Sequence, residues 1–275
     1  MKNNKNYIIS FDIDGTLLND KRQISSKDLT TLHKLKKENI VRIAATGRNF
    51  YSASKILSSD FPIDFLVFSS GAGVVNWKTK EILYCKHIYK SEITKILNLI
   101  KPYNLNFTVH LPIPDNHHML FYDANPNHED LTDYTSYYQE FVKPFDFNNI
   151  PERATQVIVL LNDSVELFDT FTRKLKSLKT ILTTSPINHK SMWMEVFNHK
   201  VSKAFGVKQI IDYLSVNNAF IFSIGNDFND IDMLKSANAA FVVSNAPDEL
   251  KKQFKVTDSN NNSGFSKAIK ELKVI

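Results

Sequence analysis

Asp12 and Asp14 stand one residue apart at the end of the largely apolar, β-prone run Tyr7–Phe11, and Gly15-Thr16 follow at once. A strand that is apolar along its length and acidic at its tip buries its body and offers its carboxyl end to a ligand, which is where open α/β sheets bind. If the strand continues, side chains at i and i+2 point to the same side. Two carboxylates held that close repel each other unless a cation or a proton accompanies them. The competing reading is an Asx-rich turn that closes the strand, with Gly15 supplying the turn conformation.

Three further segments repeat the pattern of an apolar strand ending in chemistry-bearing residues. Ile40–Ala45 runs into Thr46-Gly47-Arg48, where a hydroxyl and a closely approaching backbone meet a guanidinium; the alternative is Thr46 as the cap of a following helix. Ala219–Gly225 runs into Asn226-Asp227-Phe228-Asn229-Asp230-Ile231-Asp232. So many oxygen-bearing side chains in one turn suit a hard cation, chiefly Mg²⁺. Taken singly, Asp230 or Asp232 also reads as a first-turn acid stabilising a helix dipole. Lys203 follows Ser202, a helix cap, ahead of an apolar face of Phe205, Val207, Ile210, Ile211 and Leu214. A lysine at a helix start opposes the dipole and becomes favourable where an anion sits nearby. Lys200 is the nearby competitor, and a solvated surface lysine is the default alternative.

Taken in order, these segments resemble the haloacid-dehalogenase superfamily of phosphohydrolases. Asp12-Ile13-Asp14-Gly15-Thr16-Leu17-Leu18 is similar to its first motif, Thr46-Gly47-Arg48 to its second, Val201-Ser202-Lys203 to its third, and Gly225–Leu234 to its fourth. Phe65–Gly73 resembles a family strand ending in Asn-Gly-Ala, with Ser70 in place of Asn, and Ala240–Pro247 a later strand ending in Asn-Ala. The subgroup it most resembles is the Cof-like sugar-phosphate phosphatases, which carry a large cap between the second and third motifs. The resemblance covers the N-terminal and C-terminal thirds; the middle agrees only in length and pattern.

The resemblance implies a Mg²⁺-dependent phosphatase acting on small phosphorylated metabolites through an aspartyl-phosphate. It implies Asp12 as nucleophile and Asp14 as general acid and base. Thr46, Gly47, Arg48, Lys203 and Asn229 would bind the phosphoryl group or substrate. Asp12, Asp14, Asn226, Asp227 and Asp230 would hold the metal. The departure is Asn226, which stands where the family has an acid. Two alternatives keep the same scaffold: a phosphomutase of the superfamily, and a catalytically weak binding or regulatory homologue.

Composition bounds the remaining classes. The chain has 275 residues, 43% of them hydrophobic, enough for one large or two modest domains. No apolar run approaches the roughly 20 residues that span a bilayer, so no membrane partner is expected. The polar start Met1–Asn6 and the single cysteine, Cys85, point to a cytoplasmic protein. The net charge of +5 comes from 34 basic and 29 acidic residues that are interspersed. Arg173, Lys174, Lys176 and Lys179 read as the polar face of a helix, so no nucleic-acid partner is expected. The chain is expected to work as a monomer or weak homo-oligomer.

Strand and helix patterns alternate at both ends, predicting an α/β fold: a Rossmann-like, doubly wound parallel sheet core, residues 1–81 and 188–275. Ser25-Ser26-Lys27-Asp28 reads as a helix start, with Leu29, Leu32 and Leu35 as its buried stripe. A second helix is expected from about Asn49 to Ser58. Residues 82–187 read as an inserted, substrate-selecting α+β cap, with helices near 91–100 and 165–178. Its strands are expected near 106–111, 119–122, 155–161 and 180–184, with one sheet face left free. Pro126, Pro144 and Pro151 argue against a long element between them, and Tyr134, Tyr137, Tyr138 and Phe141 have the spacing of a packed helix face. His110, His117, His118 and His128 fall in this middle segment; they could form a metal site, although no spacing fits a structural zinc, and His117 and His118 would diverge on a strand.

Overall fold

A computed structural model describes residues 6–124, 129–185 and 191–273. The chain opens with β1 (Tyr7–Asp12), α1 (Ser26–Lys37), β2 (Val41–Ala45), α2 (Phe50–Ile56), β3 (Phe65–Phe68), β4 (Gly73–Asn76) and β5 (Ile82–Cys85). The middle contains β6 (Ile88–Tyr89), α3 (Lys90–Ile100), β7 (Phe107–His110), β8 (Met119–Tyr122), α4 (Glu129–Tyr137), β9 (Val142–Pro144), β10 (Arg153–Ala154), β11 (Gln156–Leu160), α5 (Val165–Lys174), β12 (Leu178–Thr184) and β13 (Met192–Asn198). The chain closes with α6 (Lys203–Leu214), β14 (Phe220–Gly225), α7 (Ile231–Ser236), β15 (Ala239–Val243), α8 (Asp248–Lys251), β16 (Lys255–Thr257) and α9 (Gly264–Glu271). Two units result: one of residues up to Arg48, Ala53–Tyr84 and Ser202 onward, the other of Asn49–Ser52 and Cys85–Val201.

The first unit is built on an eight-stranded sheet in the order β16-β15-β14-β1-β2-β3-β4-β5. From β16 to β3 every neighbouring pair is parallel, and β4 turns back antiparallel on β3. The chain winds outward from β1 to β2 and β3, then returns on the other side of β1 through β14 and β15. The strand order therefore reverses between β1 and β14, and the crevice outside their carboxyl ends is where such sheets bind ligands. Ile8, Ile9, Phe11, Ile43, Ala45 and Val67 are fully buried, as strands covered by helices on both faces require.

Local signals explain the helix positions. Ser25 caps α1, its Oγ accepting from Asp28 N at 3.0 Å. The expected stripe changes by one residue: Leu29 is 36% exposed, and Asp28 is buried instead. The reason is α9, whose Ser266 donates to Asp28 Oδ1 from both N (2.9 Å) and Oγ (2.6 Å), so this helix contact is polar. In α6 the buried residues are Lys203, Gly206, Val207 and Ile210, an i, i+3, i+4, i+7 stripe that carries Lys203 on its inner side.

The second unit has a six-stranded sheet in the order β12-β13-β11-β7-β8-β9, antiparallel except for the parallel pair β8 and β9. One face is covered by α3 and α5, with Ile93, Ile96, Leu97, Ile100 and Phe171 packed on Phe107, Val109, Val157, Val159 and Val196. Each such buried side chain contributes about 1.5–3 kcal/mol. The sequence left the other face free; in the structure Leu131, Tyr134 and Tyr138 lie over Met119, Ile158, Leu160 and Trp193. A face bearing that much apolar surface has to be covered. The sequence also returned the chain to the first unit at residue 188. The second unit in fact continues to Val201, because β13 pairs on both sides, with β11 and β12. Asn49–Ser52 joins this unit through Tyr51, stacked on His117 with ring centroids 4.8 Å apart, and through Asn49 Nδ2, which donates to Tyr138 Oη at 3.2 Å.

The middle histidines are packing groups. His117 and His118 do not diverge: they sit in the turn before β8, rings 4.5 Å apart, both edged by Phe141. His110 is 2% exposed; its Nδ1 meets Asn116 O at 3.0 Å and its Nε2 meets Thr108 Oγ1 at 3.2 Å. His128 lies outside the described residues.

Burial pushes the His110 imidazole down to about 4, against the opposing pull of its bond to Asn116. In the unfolded chain it titrates near 6.5, so between those values the unfolded state binds the extra proton and stability rises with pH. Stability is therefore lost as pH falls from about 6.5 to 4, by about 3 kcal/mol at the lower end. Urea unfolding followed across this window should show that loss, and His110→Gln should flatten it. An unchanged slope in the variant would place the acid sensitivity elsewhere.

Candidate active site

β1 ends at Asp12, the chain turns at Ile13, and Asp14 is no longer on the strand. The two carboxylates consequently take different partners. Asp12, 4% exposed, accepts from Lys203 Nζ through Oδ1 at 2.6 Å. Asp14 is gripped by Arg48 in a fork, Nε to Oδ2 and Nη2 to Oδ1, both 2.7 Å. The Asp14 backbone carbonyl and Asp12 Oδ2 instead share a neighbour, each lying 3.0 Å from the Asn226 amide. The expectation that both side chains point one way fails because the strand stops between them.

Lys203 is the centre of the site. Its ammonium, fully buried, donates to Asp12 Oδ1 at 2.6 Å, to Asp230 Oδ1 at 2.6 Å and to Asn229 Oδ1 at 3.2 Å. Ser202 caps α6, accepting from Phe205 N at 3.1 Å, and so fixes the helix start that carries the lysine. Gly71, at φ +102°, lets the chain after β3 pass against this start: a Cβ there would lie 2.1 Å from Ser202 O. Burial opposes the Lys203 charge, but the carboxylates of Asp12 and Asp230 more than offset it and hold its pKa above the usual lysine value. Burial pushes the Asp12 carboxyl up to about 8, aided by the charges of Asp230 and Asp14 and resisted by Lys203. Lys200, by contrast, is exposed.

The acidic turn divides its work. Asp230, fully buried, accepts from Lys203 with Oδ1 and from the backbone N–H groups of Asn226 (2.9 Å) and Asp227 (3.1 Å) with Oδ2. It clamps the turn, and its oxygens are already engaged. Asp227 accepts from Phe228 N at 2.7 Å and caps the short 3₁₀ turn Phe228–Asp230; burial pushes its carboxyl up. The charges acting on Asp12 come from Lys203, Asp230 and Asp14. Asp232 is exposed on α7.

Asn226 is the acidic-turn residue whose amide lies against Asp12. One atom of its amide lies 3.0 Å from each of Asp12 Oδ2, Asp14 O and Thr16 Oγ1. Gly15, at φ +73°, allows this approach, since a Cβ there would meet the outer amide atom at 2.5 Å. With the amide oxygen inward, it lies 3.0 Å from both Asp12 Oδ2 and Asp14 O, close to the edge, about 2.9 Å, of an octahedron with 2.0–2.1 Å ligand distances. The donor set of one carboxylate, one backbone carbonyl and one amide oxygen therefore fits a small hard cation. Among the described residues no three His, Cys, Asp or Glu side chains group to hold a metal, and this oxygen set needs only one.

Thr46 and Gly47 form a turn beside this cluster. Thr46 is 1% exposed, and its Oγ1 accepts from Arg48 N at 3.1 Å. The cap of α2 is Asn49, whose Oδ1 accepts from Ser52 N at 2.8 Å, so Thr46 is not needed for that role. A Cβ on Gly47 would lie 3.6 Å from Ser70 Oγ and 4.0 Å from Asn229 Nδ2. Ser70 Oγ is buried and has no hydrogen-bond partner, a group that asks for an oxygen ligand. The candidate set of residue reasoning omitted Ser70 and Thr16. The signals were the family-position substitution at 70 and the Gly15-Thr16 pair itself.

A family model described as haloacid dehalogenase-like hydrolase matches residues 9–269. The chain belongs to this family. Among the relatives of this hydrolase, YxeH of Bacillus subtilis is 26% identical, with 96% of this chain and 97% of its own length covered. YitU of the same organism, named a 5-amino-6-(5-phospho-D-ribitylamino)uracil phosphatase, is 24% identical over 97% of both chains. The solved structure of the superfamily phosphatase BT1666 from Bacteroides thetaiotaomicron superposes with a TM-score of 0.82 at 23% identity, covering 98% of this chain and 96% of that one. The hydrolase is thus a haloacid-dehalogenase superfamily phosphatase of the Cof type with the α/β fold expected of it. No helix among its described residues is long and apolar enough to cross a membrane.

Removing the Lys203 ammonium leaves two buried carboxylates facing each other. Lys203→Met should cost about 3–5 kcal/mol of unfolding free energy at neutral pH, whereas Lys200→Ala should stay within about 0.5 kcal/mol of the parent. Paired urea titrations measure both; equal effects would remove Lys203 from the centre of the site.

Proposed function

We propose that this phosphatase hydrolyses small phosphorylated metabolites, sugar phosphates or similar monoesters, through an aspartyl-phosphate on Asp12, with Mg²⁺ as its cation. The observation that carries the reading is the buried Lys203–Asp12 pair beside the three-oxygen cluster of Asp12, Asp14 O and Asn226. A carboxylate at a strand tip, held by an ammonium and approached by a hard cation, is an activated nucleophile toward phosphorus. Asp12 Oδ2, the Asp14 carbonyl and the Asn226 amide oxygen would hold the metal, with Asp227 and Asp230 supporting the turn. When bound, Mg²⁺ supplies charge stabilisation of the transferring phosphoryl group and pulls down the carboxyl pKa of Asp12.

The remaining roles follow from what each side chain touches. Lys203 stabilises charge on the transferring group, which it can do without reorganising because Asp230 and Asn229 already fix its ammonium. The Thr46 hydroxyl, the Gly47 turn, Ser70 Oγ and Asn229 are grouped to receive phosphoryl oxygens. Asp14 protonates the leaving oxygen and then deprotonates the attacking water. Arg48 holds the Asp14 carboxylate in place in the ligand-free enzyme and is the group available to a substrate anion. Selection among substrates is assigned to the second unit. The relative YitU, whose named substrate is a phosphomonoester of a ribityl chain, supports the substrate class. We place the enzyme in the cytoplasm, where the lone Cys85 stays reduced, as a monomer or weak homo-oligomer.

Asp12→Asn keeps the shape of the side chain but not its nucleophilicity. It should leave the circular dichroism spectrum unchanged and reduce turnover of a panel of sugar phosphates and an aryl phosphate below about one hundredth of the parent. Ser70→Ala should lower kcat/KM by about tenfold while leaving Mg²⁺ dependence alone. Phosphate release from monophosphates without any bisphosphate activator separates the phosphatase from a mutase. A folded Asp12→Asn enzyme with parental turnover would end the nucleophile assignment.

A further inference from the structure

We propose that Asn226 is a two-position amide that closes the cation site when Mg²⁺ is absent: its NH₂ turns inward to bridge Asp12 and Asp14 O beside Thr16, and its oxygen turns inward only when the cation arrives. This rests on the metal reading above and extends it to the metal-free enzyme.

The argument starts from the inner amide atom, 3.0 Å from three oxygens. Asp12 Oδ2 and Asp14 O can only accept. An amide oxygen facing both with nothing between them sets acceptor against acceptor, which is unfavourable in a partly buried site. Turning the amide by about half a turn changes no position and lets its two N–H groups donate to Asp12 Oδ2 and Asp14 O, the two partners that can only accept. Thr16 Oγ1 tolerates both states, because its hydroxyl donates to an inward oxygen and rotates its hydrogen away from an inward nitrogen. Gly15 offers no side chain to the outer amide atom, so either end of the amide fits above it.

An aspartate at position 226 has no such second state. Without a cation its carboxylate would stand 3.0 Å from Asp12 Oδ2, adding a like charge to a buried group already crowded by Asp230 and Asp14. The asparagine therefore trades cation affinity for a metal-free site that is internally satisfied. A cation has to displace those donations before it gains three oxygens. Occupancy then follows free Mg²⁺, where an acid-bearing site would stay loaded.

The test uses the full-length enzyme, stripped with a chelator and titrated with MgCl₂. Calorimetry measures binding, and the ¹H–¹⁵N side-chain amide signal missing from Asn226→Asp identifies the Asn226 NH₂ group in the parent. In metal-free parent this NH₂ should exchange slowly with water, and saturating Mg²⁺ should shift it and speed its exchange. Asn226→Asp should bind Mg²⁺ at least tenfold more tightly and melt at least about 2 °C lower than the parent without metal. Asn226→Ala, which has neither state, should lose both the metal-free melting temperature and the Mg²⁺ affinity. An Asn226 amide signal that does not move while calorimetry records saturation would overturn the two-position amide and leave the metal reading standing. Absence of Mg²⁺ binding in parent and Asn226→Asp alike would overturn the metal reading itself.

Discussion

One buried ammonium organises the site of this enzyme. Lys203 Nζ reaches Asp12 at the end of β1 and Asp230 in the turn after β14, two strands that are neighbours in the sheet but 212 residues apart along the chain at Ser10 and Phe222. A charge at this depth is costly unless its partners neutralise it. The two carboxylates do so, and each would in turn be an uncompensated buried charge without the lysine. The third participant, Asn229, limits how the ammonium can turn. The geometry around Asp12 is therefore held by a network in which the lysine and both carboxylates depend on one another.

That network depends on the topology of the sheet. Reversal of strand order between β1 and β14 opens a crevice at their carboxyl ends, and α6 enters it with Lys203 on its buried stripe rather than on its solvent face. Gly15 and Gly71 make the approaches possible, one admitting the Asn226 amide and the other the start of α6. Asp230 spends its carboxylate on Lys203 and two backbone N–H groups. It works as the clamp of the turn, while the oxygens proposed to face a cation come from Asp12, the Asp14 carbonyl and Asn226. A site with so few formal charges facing the cation is tuned by hydrogen bonding as much as by charge.

The second unit follows a different economy. Its sheet buries aliphatic side chains under α3 and α5 on one face and aromatic ones under α4 on the other. His110 is held neutral by its burial, its ring nitrogens meeting Asn116 O and Thr108 Oγ1, while His117 stacks on Tyr51 and both His117 and His118 are edged by Phe141. His110, His117 and His118 each pack against aromatic rings.

What the sequence determined by itself was the set of apolar strands and the residues at their tips. Strand bodies such as Tyr7–Asp12 and Phe220–Gly225 are continuous apolar runs with period-free burial, so their existence and their acidic ends are readable without coordinates. Ser25 and Ser202 were readable as caps for the same reason: capping is a local interaction. The pairing of those tips was not local. Asp14 was expected beside Asp12, but its carboxylate went to Arg48 because β1 ends one residue too soon. β13 was assigned to the wrong unit, since its place is fixed by hydrogen bonds to β11 and β12 that no stretch of sequence encodes alone. Which of the acidic-turn residues lies against Asp12 was likewise decided in three dimensions, because Asp227, Asp230 and Asn226 share one local signature and differ in which backbone and side-chain groups the folded chain brings close to each.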